Sequence, residues 1–141
     1  MKLVFFLSSL LLVSWSPQKM KTLNGTWTLV CFSESNTDFH DCNPESLSEK
    51  SITLEFADSD GMGKIKGHTT SNNVFGNYQI SGENQMKVTS FGGTKIVENG
   101  WGNQFWTTIS QSSSFEFKAD SLFIYYDNNL KIMKFIRTIN E

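Results

Sequence analysis

Histidine, cysteine and arginine are scarce in this sequence, and each shortage closes off a kind of chemistry. Its 141 residues hold two histidines, His40 and His68, two cysteines, Cys31 and Cys42, and one arginine, Arg137. The loop Asp38-Phe39-His40-Asp41-Cys42 gathers imidazole, carboxylate and thiol, but no helical or hairpin spacing presents two strong ligands together, so no metal is expected there. Asp58, Asp60 and Gly63 occupy the first, third and sixth places of a calcium loop. Met62 and Thr69 then stand where oxygen ligands are needed, which rejects that reading. There is no G-x-S-x-G, no S-x-x-K and no dinucleotide or Walker glycine pattern, since Gly92-Gly93-Thr94-Lys95 lacks the required flanks. The spaced carboxylates Glu45 and Glu49 lie in a polar loop, where solubility accounts for them. No catalytic residue and no cofactor are expected.

Excess positive charge is also missing. Lys and Arg number 12 against 14 Asp and Glu, and the lysines are dispersed among acids along the chain. A polymer of phosphates needs a concentration of cations, so nucleic acid and anionic membrane surfaces are not expected as partners. One long apolar run exists, Leu3 to Val13, preceded by Lys2 and followed by Ser14 and Ser16. That order is the order of a secretory signal peptide, and the run is too short to span a bilayer. Residues 1–16 are read as the leader; Pro17 beyond the bond after Ser16 hinders cleavage there and leaves the boundary between 16 and 21. No cysteine follows the run before Cys31, so no lipid anchor is expected. The mature chain, 22–141, is expected to be periplasmic or secreted, without stable membrane insertion, and monomeric. An oxidising compartment favours pairing Cys31 with Cys42; a buried thiol beside a free one is the alternative.

What is present is a train of short alternating segments, read as strands: 26–32, 51–56, MGKIKGHT, VFGNYQI, QMKVTSF, the polar GTKIVE, SFEFKA, SLFIYY and NLKIMKFIR, separated by turn-forming DSDG, SGENQ, AD and DNN. In the first, Trp27, Leu29 and Cys31 alternate to one side, with Thr28, Val30 and Phe32 to the other. Between Asn99 and Ser110 the period changes, and Trp101, Phe105, Trp106 and Ile109 fall on one helical face with Asn99 placed as N-cap. Leu122, Ile124 and Tyr126 oppose Phe123 and Tyr125, a strand apolar on both faces. The expected fold is α+β and predominantly β: a strongly curved, open-barrel-like antiparallel sheet, its inside a core and its outside partly covered by one helix.

The run Leu23-Asn24-Gly25-Thr26-Trp27, then SITLEF, then Gly67, Asn72, Phe75, Gly76 and Tyr78 at fixed spacing, then Thr94 after two glycines, a helix and SSSFEF, resembles the META/HslJ domain family of exported bacterial proteins over about residues 22–138. Members commonly carry one cysteine just before that asparagine and another shortly beyond the threonine; Ser71 and Glu98 stand there instead, so Cys31 and Cys42 are left as the substitute. The resemblance implies no enzymatic activity and a role in envelope or stress-related processes. The motif residues Gly25, Trp27, Gly67, Asn72, Gly76, Tyr78 and Thr94 read as structural: glycines where backbones approach closely or take positive φ, Asn72 satisfying loose backbone groups, and Tyr78 covering the bare backbone of Gly76. Asn24-Gly25-Thr26 matches a glycosylation sequon but reads as the bend before the first strand. The expected function is non-enzymatic and works through an unidentified protein partner, with Phe75 and Trp101 as candidate contacts. The alternative is a lipocalin-like binder of a small apolar ligand, because Gly25-x-Trp27 and Arg137 resemble that superfamily's stacked bracket. The bulky inward set Trp27, Phe56, Phe115, Phe117 and Leu122 argues for a filled interior instead.

Overall fold

The structure, a computed structural model, describes residues 20–36, 41–42 and 51–138. The leader, Asp38, His40, Glu45 and Glu49 lie outside the described residues. Among the described residues the elements follow in the order β1 (Gly25–Glu34), β2 (Asp41–Cys42), β3 (Thr53–Ser59), β4 (Met62–His68), β5 (Asn73–Ser81), β6 (Gln85–Gly93), α1 (Gly100–Thr108), a 3-10 turn (Ile109–Gln111), β7 (Ser112–Lys118), β8 (Ser121–Tyr126) and β9 (Lys131–Arg137). From β3 each strand pairs antiparallel with the next, and β9 returns to pair with β1 along most of its length. The curved sheet therefore closes into an eight-stranded barrel, which removes the exposed edges an open sheet would leave. β2 is a short addition beside β1. The β6–β7 seam is the thinnest, joined by the Gln85–Ser114 register pair and by the Phe115 N–H donating to Asn84 O at 2.9 Å.

Local sequence explains the tight connections. Asp60 and Gly61 take φ of 52° and 77°, the paired positive angles of a two-residue hairpin whose twist matches its strands. Asp127, Asn128 and Asn129 also take positive φ, which short amide and carboxylate side chains tolerate.

Alternation fails at one place with a visible consequence. The β1–β9 register shifts between Leu29 and Cys31, so Val30 is bulged and the phase of the strand reverses. Phe32, opposite Met133, enters the core in place of Cys31. Cys31, opposite Lys134, turns outward and bonds Cys42, its direct partner on β2. The expected grouping of Cys31 with Trp27 and Leu29 is corrected accordingly, while the covalent pair is present.

Apolar side chains fill the interior as one cluster. Trp27, Phe56, Tyr78, Phe105, Phe115 and Phe135 are all buried with Leu54, Ile65, Leu122 and Met133 in one cluster, and each such side chain contributes about 1.5–3 kcal/mol of burial. Phe117 of the expected inward set is partly buried and packs edge-on to Phe115 at 5.7 Å. The helix covers the sheet, but not the outside of β8. Phe105 and the following Ile109 are fully buried members of the same core, and Phe91 of β6 meets Phe105 and Trp106 at 6.0 and 5.2 Å. α1 therefore closes an end of the barrel beside the β6–β7 seam. Outside β8, Phe123 is covered by the ammonium groups of Lys118 and Lys134, at 5.4 and 5.8 Å, because long lysine stems lie along apolar surface while their heads stay wet. Asn99 occupies the N-cap position with extended backbone angles but makes no side-chain cap hydrogen bond.

Candidate functional site

The motif residues separate into two structural clusters. At the barrel end formed by the start of β1 and the β3–β4 turn, Gly25 takes a φ of 137° and leaves room for Arg137, whose guanidinium carbon stacks 4.3 Å from the centre of the Trp27 ring. Trp27 Nε1 donates to Leu23 O at 2.9 Å. Asn24 clamps Asp58: its Oδ1 accepts from the Asp58 N–H at 2.6 Å and its Nδ2 donates to Asp58 O at 3.3 Å. Tyr78 Oη donates to Asp58 Oδ2 at 2.7 Å, and the Leu23 N–H donates to the same oxygen at 2.8 Å. Burial, reinforced by the Asp58 carboxylate, pushes the Tyr78 phenol well above its ordinary value. The ring of Tyr78 lies across Gly63 of β4, its register partner, and occupies the place a Cβ there would take. It covers Gly63 and not Gly76, whose own missing Cβ makes way for Ser90 O and the ring of Phe91 on β6.

At the opposite corner Asn72 uses all its side-chain valences. Its Oδ1 accepts from Thr94 Oγ1 at 2.9 Å and from the Ile96 N–H at 2.7 Å; its Nδ2 donates to Ile96 O at 2.8 Å and to Glu98 Oε1 at 2.7 Å. An amide is the side chain that presents an acceptor and a donor side by side, so Asn72 meets the backbone of Ile96 as a neighbouring strand would. That is why GTKIVE is not a strand: β6 ends at Gly93, and the next segment is held by a side chain. Gly67, with a φ of 159°, stands where a Cβ would collide with Thr53 O, which lets β4 press close to β3.

Glu98 is the residue that sequence reasoning passed over. Its carboxylate accepts from Thr69 Oγ1, from Thr70 Oγ1 at 2.9 Å and from Asn72 Nδ2. A Cβ at Gly102 would fall on that carboxylate and on the Thr70 hydroxyl, so glycine in the first turns of α1 admits the acid. The signal was its position, where the resembled family carries cysteine: a hydrogen-bonded clasp ties the linker to the corner in place of a covalent one. Ser71, at the other such position, is exposed.

Beside this corner lies a groove of about 490 Å³ lined by Asn72, Lys95, Ile96, Val97, Glu98 and Trp106, among others. Ile96 and Val97 are 60% and 83% exposed on its rim, and Phe75, on the neighbouring outer face of β5, is 63% exposed. Trp101 is different: it is half-buried and meets Phe32 edge-on at 5.0 Å, so packing claims most of its surface. Among the described residues no group of three His, Cys, Asp or Glu side chains is arranged to hold a metal, and no buried side-chain polar atom lacks a hydrogen bond. His68 is half-exposed at the end of β4; its companion in the metal reading, His40, is outside the described residues.

Among curated proteins none matches the chain. Solved structures share its architecture, among them the following two. A DUF4847 family protein from Bacteroides vulgatus superposes with a TM-score of 0.60 at 15% identity, covering 84% of this chain and 95% of that one. A protein from Burkholderia xenovorans does so with a TM-score of 0.59 at 18% identity, covering 90% and 94%. At such identities the likeness is one of fold. The META domain model matches residues 19–138, so it is by sequence, across nearly the whole barrel, that this chain belongs to the META domain family.

Proposed function

We propose that this META-domain protein is exported and works without catalysis, in envelope or stress-related processes, by holding another protein against the rim beside the Asn72 corner. The observation that carries the reading is the exposure of Ile96 and Val97 on the rim of a groove whose Asn72 and Glu98 side chains are hydrogen-bonded, with Phe75 exposed on the outer face of β5. Large apolar side chains kept in water on a well-satisfied scaffold are what a contact surface requires. The leader-like N-terminus and the Cys31–Cys42 bond support export, since such bonds persist in oxidising compartments.

The lipocalin-like alternative gains the bracket of Trp27 and Arg137 and an eight-stranded barrel, but the barrel is packed with side chains where an apolar ligand would sit. Two experiments separate the readings. A photocrosslinking amino acid placed at Val97 in the secreting cell is expected to give a discrete protein adduct that Ile96→Ser abolishes. No adduct at Val97 or Phe75 would defeat the contact reading. Titration with a fluorescent fatty acid is expected to show no saturable binding; a one-to-one complex would restore the alternative.

A further inference from the structure

Asparagine followed by glycine is a labile pairing, because the glycine nitrogen, unshielded by any side chain, can reach the amide carbon of its neighbour. The chain holds two such pairs, Asn24-Gly25 and Asn99-Gly100. Both asparagines are exposed, yet the fold holds them in opposite ways. Asn24 is tied at both ends of its amide to the Asp58 backbone, at 2.6 and 3.3 Å. Gly25 is paired opposite Phe56 of β3, and the Arg137 guanidinium fills the place its Cβ would take. Asn99 stands between the Glu98 clasp and α1 with φ of −120° and ψ of 164°, and its side chain makes no cap hydrogen bond. No other hydrogen bond engages that side chain among the described residues. Gly100 is exposed, and nothing beyond its own helix and chain neighbours lies within 4 Å of the place a Cβ would occupy. As the first residue of the helix it has no intrahelical acceptor for its N–H.

We propose that Asn99 is a site of spontaneous modification, converted in the folded protein to aspartate and isoaspartate, while the hold of Asn24 on Asp58 spares that residue. Hydroxide takes the Gly100 amide proton, and the nitrogen attacks Asn99 Cγ. A C–N bond forms, the bond from Cγ to Nδ2 breaks, and the amide nitrogen leaves as ammonia with a proton from water. Water then opens the resulting succinimide. Addition at Cγ restores the main chain as aspartate; addition at the α-carbonyl leaves the chain running through Cγ as isoaspartate, longer by a methylene. No electrons are transferred, and the balance is water in and ammonia out. Ring closure turns ψ of Asn99 away from 164°, and the open surroundings of Gly100 leave room for that turn. At Asn24 the same closure must first break both hydrogen bonds to Asp58, which at an ordinary net strength for each slows it about thirtyfold. Either product sets a second carboxylate beside Glu98, at the end of the segment that carries the exposed Ile96 and Val97.

The proposal stands apart from the protein contact at the Asn72 rim and is tested separately, by peptide mapping with mass spectrometry of the purified protein aged at mildly alkaline pH, in buffer and in urea. In buffer the peptide holding Asn99 should gain the mass of an amide-to-acid exchange, with an isoaspartyl peak beside the aspartyl one, about thirtyfold faster than the peptide holding Asn24. In urea, where neither pair is held, the two rates should converge. The Asn99→Ser variant, which keeps an oxygen at the N-cap, should show no such gain in that peptide and leave Asn24 as slow as in the parent. An Asn99 that survives ageing in buffer as well as Asn24 does would overturn the proposal. So would a difference in rate that persists undiminished in urea, since its cause would then lie in the flanking residues and not in the fold.

Discussion

Replacing Asn72 by alanine tests whether one side chain holds the barrel's corner. The substitution deletes four hydrogen bonds: two with the Ile96 backbone, one with Thr94 and one with Glu98. A net contribution of about 1 kcal/mol each gives an upper figure of about 4 kcal/mol. Thr94 and Ile96 belong to an exposed segment, so water recovers part of this and the expected loss is about 2–4 kcal/mol. With a urea m-value of about 2 kcal/mol/M, the unfolding midpoint should fall by about 1–2 M at unchanged m. Asn72→Asp is a stricter probe. It keeps both acceptor interactions but turns the donor into an oxygen facing Glu98 and Ile96 O, so at neutral pH it should be at least as destabilised as the alanine variant. A loss below about 0.5 kcal/mol for alanine, within the range of ordinary surface substitutions, or an aspartate variant more stable than the alanine one, would refute the reasoning.

Two further outcomes are expected. Folding raises the Tyr78 phenol above its ordinary value of 10.0; its contribution is therefore complete below pH about 10 and is lost as the pH climbs from there toward the folded value. In alkaline thermal melts the parent should lose stability more steeply than Tyr78→Phe, and parallel curves would dismiss the linkage. The Cys31–Cys42 bond spans 11 residues of sequence, which on the chain-entropy model is worth about 2.5–3 kcal/mol. The double alanine variant should show that loss by urea unfolding, and mass spectrometry without reductant should find no free thiol in the parent.

Local pattern was enough for much of the fold. The alternation of Ile52, Leu54 and Phe56 placed a strand with one wet face, the polar dipeptide Ala119-Asp120 and the triplet 127–129 placed hairpins, and the change of period after Asn99 placed the helix. Those features follow from side-chain geometry along a few consecutive residues, so they are written in the chain. The glycines of the family motif were readable as close approaches for the same reason, although which backbone or ring approaches was not: Tyr78 covers Gly63, fifteen positions away, because β4 and β5 pair.

What depended on the folded barrel is whatever rests on register and on closure. The bulge at Val30 sends Cys31 outward and Phe32 inward. The return of β9 to β1 brings Arg137 over Trp27. The strand-like hold of Asn72 on Ile96 and the clasp of Glu98 each join residues from different elements. A single residue of slip between two strands would turn any of these side chains to the opposite face. Spacing along one chain carries no record of that slip; the packing of the whole core sets it.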